Sequence, residues 1–398
     1  MVGEAVILAA GEGSRLRPFT EDIPKVMLPV ANKPILEYVI NAIRDSGIRK
    51  IIMIVGYKKE SVMDYFGSGS RCGVEIEYVT QEKQLGTGHA LFQARELVKG
   101  EEFIVLPGDN IIDKDVILKL MNSPTPALVV EESDIPSKYG VVEIDGDIIK
   151  NLIEKPPVAR TNIVSTGIYK FDKRVFELLD ELLKEGRTSL IDAILQFVQE
   201  GILYGVKGNG KWRDAVYPWD LLKMNEEILN KVPATISGKI EENVIIKGKV
   251  SIGENTIVHS GSYLVGPITI GEGCEIGPHA CIFPSTSIGN NVTIYPFSEI
   301  RDSLIMDSST IGSFSYISKS VIGRGTKISD HFSTLVGDSI IEIEGEIKKV
   351  KGAGAFIGGE CNIESGVVIK GGAIIGKRAH ISSNKVLSGR IENDSKVV

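Results

Sequence analysis

From residue 240 onward an aliphatic side chain returns at every sixth position: Ile240, Ile246, Ile252, Val258, Leu264, Ile270, Ile276, Ile282, Ile288, Ile294 and Ile300. The series slips one residue to Ile305, Ile311 and Ile317, slips again to Ile322 and Ile328, and resumes at Ile357, Ile363, Ile369, Ile375, Ile381 and Leu387. This is the hexapeptide signature of a parallel β-helix, in which each side of a triangular coil buries one residue. Glycine often follows the inward residue, as at Gly253, Gly271, Gly277, Gly289, Gly323, Gly358 and Gly376, where the chain must turn a corner. Three hexads close one coil, and about seven coils at ~4.7 Å each predict a prism roughly 33 Å long. Residues 331–352 break the repeat and are expected to loop out of the stack.

Before the repeat, apolar runs alternate with amphipathic helical patterns. Strand patterns fall at 5–10, 50–55, 74–79, 103–106 and 127–130. A helix starting at Lys33-Pro34 puts Ile35, Leu36, Val39, Ile40 and Ile43 on one face and stops at Gly47. Further helices are expected at about 59–66, 87–98, 113–121, 173–185, 189–200 and 218–229, the last three closing the domain. This rhythm predicts a mostly parallel sheet with helices on both faces and ligands at the carboxyl ends of its strands. Residues 140–149 look like a hairpin with an Asp-Gly turn. The expected division is 1–232 for the α/β domain and 233–398 for the β-helix.

The first strand runs into Leu8-Ala-Ala-Gly-Glu-Gly-Ser-Arg-Leu-Arg-Pro-Phe-Thr20, followed by Pro24-Lys25. Gly11 and Gly13 let backbone amides approach an anion, and Ser14 sits beside them. Arg15 offers a planar fork for phosphate oxygens and Lys25 a compact point charge. Leu8, Ala10, Gly11, Gly13 and Ser14, with Arg15 and Lys25, thus form a candidate polyphosphate pocket. Leu16 stands where a dinucleotide fingerprint needs its third glycine, and the G-K-[ST] of a P-loop is absent.

Two further segments lie at strand ends. Asp109, in Pro107-Gly-Asp-Asn110, can hold Mg²⁺, which nucleotide phosphates need for charge neutralisation. Asp214, in Trp212-Arg-Asp-Ala215, offers a second carboxylate. In Gln81-Glu-Lys-Gln-Leu-Gly-Thr-Gly-His-Ala90, the Gln81 amide can recognise the polar edge of a pyrimidine, Gly86 permits close backbone approach, and Thr87 follows it. His89 is expected to pack structurally.

A net charge of −7 argues against a general nucleic-acid surface, though a local cationic pocket can still take a nucleotide. Cys72, Cys274, Cys281 and Cys361 are scattered without C-x-x-C spacing, so neither disulfides nor a zinc site are expected and a cytoplasmic setting fits. No stretch reaches the length of a membrane span.

The G-x-G-x-R loop with its downstream Pro-Lys resembles the sugar-1-phosphate nucleotidylyltransferases, and the likeness extends with gaps over about the first 230 residues. The resemblance implies a Rossmann-like nucleotidyltransferase domain followed by a β-helix that is left-handed. It implies a nucleoside triphosphate and a sugar-1-phosphate as partners, Mg²⁺ at Asp109 and Asp214, and a homo-oligomer through the β-helix. The Gln81–Ala90 segment resembles the uridylyltransferase element for N-acetylglucosamine-1-phosphate more than its thymidylyltransferase counterpart, favouring UTP over dTTP. Glu154-Lys155-Pro156 matches the family's E-K-P element, which assigns Glu154 to sugar hydroxyls and Lys155 to the sugar phosphate. Gly140, Ser165 and Thr166 are expected to line the sugar pocket. Many N-acetylglucosamine-specific members carry Asn before Thr-Gly; this chain carries Ser165.

Bifunctional relatives also transfer acetyl from acetyl-CoA to an amino sugar, using a His in the β-helix as base. The matching stretch here is Gly312-Ser-Phe-Ser-Tyr-Ile-Ser-Lys-Ser320, with Ser313 in the His position and His331 as the nearby imidazole. Phe356-Ile-Gly-Gly-Glu-Cys-Asn-Ile363 resembles the later coils, where the family binds coenzyme A. Nucleotidyl transfer is therefore the expected activity and acetyl transfer the alternative. A regulatory subunit of this architecture would be expected to lose the catalytic cations or metal carboxylates, and all four are present.

Overall fold

The computed structural model describes residues 2–209 and 212–398. They form two compact units that do not meet at a single cut near 232. One holds the chain up to Glu12, Pro24–Met27 and Ile35–Asp214; the other holds Gly13–Ile23, Leu28–Pro34 and Ala215–Val398. The helix Asp220–Leu229, expected to close the α/β domain, groups with the β-helix. Its fully buried Asn225 explains why: the side-chain amide donates to Ser285 O and accepts from Ser287 Oγ and Ala31 N. A buried amide satisfied three times holds its helix where those partners are.

The first unit is built on a nine-stranded sheet in the order Glu75–Thr80, Lys50–Val55, Glu4–Ala9, Glu102–Pro107, Ile163–Asp172, Ala127–Glu132, Tyr204–Lys207, Ile148–Glu154, Gly140–Asp145. The first four strands are parallel. Ile163–Asp172 then runs antiparallel to both of its neighbours, and the sheet continues mixed. Strand Glu4–Ala9 is central, so Ala5, Val6 and Ile7 are all buried and the run is apolar throughout. Ala5, Ile7 and Ala9 join one core with Leu36, Val39, Ile40 and Ile43 of helix Ile35–Asp45. Val6 joins the opposite core, with Val175 and Leu179 of helix Arg174–Lys184 and Ile194 of helix Leu190–Gln199. The helix expected over 87–98 is α-helical only at Thr87–Phe92. The hairpin at 140–149 forms, Asp145 pairing with Ile148 across a two-residue turn.

In the second unit three parallel sheets of nine, nine and eight strands stack into the β-helix. One rung series runs Ile252, Ile270, Ile288, Ile305, Ile322, Ile357, Ile375, each paired with the next. The one-residue slips are absorbed between coils, and the inward aliphatics from Ile252 to Leu387 share one core. The stack exceeds the seven coils expected because rungs extend from Thr235–Ile236 to Lys396–Val397. The glycines after the inward residues serve closeness more than rotation. A Cβ on Gly253 would stand 2.7 Å from Gly271 C, and one on Gly271 the same distance from Gly289 C. The left-handed corners are held instead by residues such as Asn255, His279, Phe297 and Asn384.

The interruption also starts later than 331. Phe332 is buried in the core and Ser333–Thr334 continues its sheet. The excursion is an antiparallel hairpin, Gly337–Ile343 with Glu346–Ala353. All four cysteines are free. Among the described residues no helix is long and apolar enough to cross a membrane.

Candidate active site

Three strand ends meet where the first strand stops. Gly108 N donates to Leu8 O (2.9 Å), and Tyr57 N and Gln84 Nε2 both donate to Ala10 O (3.1 and 2.9 Å). Leu8 and Ala10 are thereby held through their backbone carbonyls, while Gly11 is exposed beyond them. The parallel register makes this convergence: Leu8 lies level with Ile54 on one side and Pro107 on the other.

Asp109 follows strand Glu102–Pro107 and precedes the short strand Asn110–Ile112. That strand pairs antiparallel with Trp212–Asp214, placing Asp214 directly opposite Asn110. The two carboxylates converge on one ammonium: Lys25 Nζ lies 2.5 Å from Asp109 Oδ2 and 3.0 Å from Asp214 Oδ1. Burial by itself would lower the Lys25 pKa, but attraction to Asp109 and Asp214 outweighs it and raises the value, keeping the lysine charged. Lys25, expected on phosphates, bridges the two expected metal carboxylates.

Asn110 is a participant that the sequence reading passed over, although it stands in the quoted motif. Its Nδ2 donates to Thr166 O (3.0 Å), tying the carboxylate ribbon to the expected sugar segment. Thr166 is fixed again by its hydroxyl, which donates to Val129 O (2.8 Å). Around it the register against Ala127–Glu132 shifts between Ser165 and Tyr169, a bulge of the kind that re-aims side chains beside active sites. Gly140 lies opposite Glu154, and a Cβ there would stand 3.1 Å from Glu154 Oε2 and 3.5 Å from Ser165 Cβ. Gly140, Glu154 and Ser165 are thus brought together. Lys155 takes a left-handed backbone conformation, its Nζ 3.5 Å from Glu154 Oε1, with both side chains about half exposed.

Gln81, Gly86 and Thr87 also gather, through contacts with their own unit. Gln81 is buried, its Nε2 donating to Gly86 O (3.0 Å) and lying 2.9 Å from His89 Nδ1. His89, expected to pack structurally, is half-buried beside that amide. Gly86 has φ 142°, and a Cβ would stand 2.6 Å from Thr188 O. Thr87 Oγ1 accepts from Leu190 N (3.1 Å) at the start of helix Leu190–Gln199. Gly86 therefore satisfies a packing demand whether or not a base binds beside it.

Gly13, Ser14 and Arg15 group with the second unit. Gly13 (φ 75°) opens the turn Ser14–Leu16, and Thr20 Oγ1 donates to Gly13 O (2.9 Å). Arg15 Nε lies 3.0 Å from Glu344 Oε2, and Ser14 Oγ donates to Glu344 Oε1. In the β-helix, Ser313 N donates to Asp330 Oδ1 (2.7 Å). The His331 ring lies face to face with Phe314 (5.2 Å between centroids), which continues a stack through Phe297 to His279.

The first unit is thus a Rossmann-like domain whose first strand runs into a glycine loop and in which Asp109 and Asp214 meet at Lys25. The chain belongs to the nucleotidyl transferase family, whose model matches residues 4–231. The GMPPB C-terminal domain model matches residues 264–350. Nearly the whole chain is similar to a Bifunctional protein GlmU of Methanococcus maripaludis, at 38% identity over 98% of this chain and 96% of that protein. It is 33% identical to a bifunctional sugar-1-phosphate nucleotidylyltransferase/acetyltransferase of Sulfurisphaera tokodaii, over 97% of each. A solved structure assigned as a glucose-1-phosphate thymidylyltransferase from Bacillus anthracis matches with a TM-score of 0.54 and 28% identity, over 58% of this chain and 97% of that one.

The family generally uses a divalent metal. Among the described residues no group of three or more His, Cys, Asp or Glu is placed to hold one. Two carboxylates converging on one point still fit Mg²⁺, which is commonly held by one or two carboxylates plus substrate phosphates and water.

Proposed function

We propose that this protein transfers a nucleotidyl group from a nucleoside triphosphate, UTP in preference to dTTP, to a hexose-1-phosphate. The products are a nucleoside-diphosphate sugar and pyrophosphate. The observation that carries the reading is Lys25 held between Asp109 and Asp214 at the carboxyl end of the central strands. Mg²⁺, held by Asp109 and Asp214, would neutralise charge on the nucleotide phosphates. Arg15 and Lys25 supply the cations for those phosphates, and the amides around Gly11 and Gly13 supply donors. Lys155 binds the sugar phosphate, while Glu154, Gly140, Ser165 and Thr166 shape the sugar site. Gln81, Gly86 and Thr87 set the wall against the base.

A sugar-1-phosphate is largely doubly ionised at pH 7, since its second pKa is near 6. Its oxygen attacks the α-phosphorus, the new P–O bond forms, the bond from the α-phosphorus to the α,β-bridging oxygen breaks, and pyrophosphate leaves with that oxygen and the electron pair. No general base is required, so positioning and charge stabilisation are the protein's contribution. The acetyltransferase activity in the relatives' names needs a base for an attacking amine. Here position 313 is serine and the nearby His331 ring is stacked on Phe314, so nucleotidyl transfer is the leading reading and acetyl transfer with acetyl-CoA the alternative. A homo-oligomer completes the proposal, because Phe297 and Phe314 are exposed apolar surface on the β-helix that a second copy would cover, and a cytoplasmic setting fits the four free cysteines.

The test is pyrophosphate release from purified protein with Mg²⁺, each nucleoside triphosphate and a panel of hexose-1-phosphates. Release that depends on both substrates supports the reading; none with any pair refutes it.

A further inference from the structure

The hairpin that interrupts the β-helix is anchored along its length and specific at its tip. Ile341, Ile343 and Val350 are buried, and Ser339 Oγ donates to Gly371 O (2.6 Å). At the tip Ile343 pairs with Glu346, leaving Glu344 (φ 51°) and Gly345 (φ 77°) as a two-residue turn. Turns with two positive φ values favour Asn, Asp or Gly at the first position, so the backbone does not account for a glutamate. Its carboxylate does: one oxygen accepts from Ser14 Oγ and the other from Arg15 Nε. The adjacent Glu346 is engaged elsewhere, 2.6 Å from Lys348 Nζ, which in turn lies over the Tyr217 ring.

Ser14 and Arg15 are the loop donors assigned above to the triphosphate. A carboxylate taking a hydroxyl and a guanidinium through its two oxygens offers them the same chemistry as two phosphate oxygens. The Arg15–Glu344 pair is 38% and 43% exposed, so it is weak enough to be displaced. We propose that Glu344 is an internal competitor for the nucleotide's polyphosphate, through which a hairpin of the β-helix sets nucleotide affinity. The inference rests on the nucleotidyl-transfer reading: nucleotide binding exchanges Glu344 for phosphate oxygens on Ser14 and Arg15 and releases the hairpin tip.

Calorimetric titration of the full chain with UTP and Mg²⁺, without sugar phosphate, tests this. Glu344→Gln should bind UTP about two- to five-fold more tightly than the unaltered protein, the worth of an exposed ion pair. Added salt should shrink the gain. Glu344→Gly, which suits the turn's backbone, should repeat it. Glu342→Gln, the same charge change at an exposed neighbouring position, should bind as the unaltered protein does. Equal or weaker UTP binding by Glu344→Gln overturns the proposal while leaving the transfer reading intact. Failure of all these proteins to bind any triphosphate overturns both.

Discussion

Lys25 and Asp214 meet at 3.0 Å although 189 positions separate them along the chain. With Asp109 they form a partly buried group of two negative charges and one positive charge. The net negative charge of that group favours a cation, and its lysine leaves the carboxylates without their counter-ion if it turns to a phosphate. In the proposed reading, Lys25 would couple substrate binding to metal binding.

Replacing Asp109 or Asp214 by alanine should reduce pyrophosphate release by a factor on the order of 10²–10³, the usual cost of removing a charge-stabilising group. Far-UV circular dichroism and oligomer size should not change. Lys25→Met should be as inactive and also less stable, because two converging carboxylates lose the ammonium between them. Full turnover in Asp109→Ala would remove the metal assignment.

Glu4 gives the first strand a pH-dependent anchor. Its carboxylate accepts from Lys99 N (2.8 Å), Gly100 N (2.9 Å) and Lys50 Nζ (2.8 Å). Burial works to raise its pKa, but Lys50 and the two amides outweigh it and hold the value below 4.5. A depressed carboxyl pKa stabilises the fold above the unfolded value and loses that contribution as pH falls through the folded one. Glu4→Gln should therefore cost about 1–3 kcal/mol at pH 7. The deficit should shrink as the pH is lowered below the ordinary glutamate range, as read by denaturant titrations at pH 7 and in acid.

The stacked glycines of the prism should tolerate no side chain. Gly253→Ala or Gly271→Ala puts a methyl group within 2.7 Å of the next coil's backbone, an overpacking worth about 1–3 kcal/mol. Gly337→Ala meets nothing within 4 Å and should change stability by no more than about 0.5 kcal/mol. Thermal unfolding of the three variants side by side checks the contrast.

Asn225→Ala should be among the most damaging single changes outside the active site. It strands Ser285 O, Ser287 Oγ and Ala31 N without their partner, at about 1–3 kcal/mol for each buried group left unsatisfied. An unaltered midpoint of unfolding would show that water replaces the amide.

Much of this was legible because it repeats or is local. The inward aliphatics could be named one by one, since a β-helix rung demands one buried residue per side and the sequence supplies it every sixth place. The central strand was legible because burial on both faces leaves an unbroken apolar run. Asp109 and Gly11 could be placed at strand ends by the alternation of strand and helix alone. The hairpin's starting point was not, because Phe332 and Thr334 sit at inward positions without belonging to the isoleucine series. That helix Asp220–Leu229 packs with the β-helix unit was not legible, because its amphipathic pattern shows that it packs but not on what.

Sequence periodicity and motif spacing determined the two architectures, the order in which they occur and the chemical types gathered in the loops, since these follow from backbone geometry and side-chain chemistry within a few residues. Only tertiary structure decided that Asp214 faces Asn110, that Lys25 closes on both carboxylates, and that Glu344 takes Ser14 and Arg15. Those contacts join residues 84, 104, 189 and some 330 positions apart, and no local preference encodes which distant partner a charge will find.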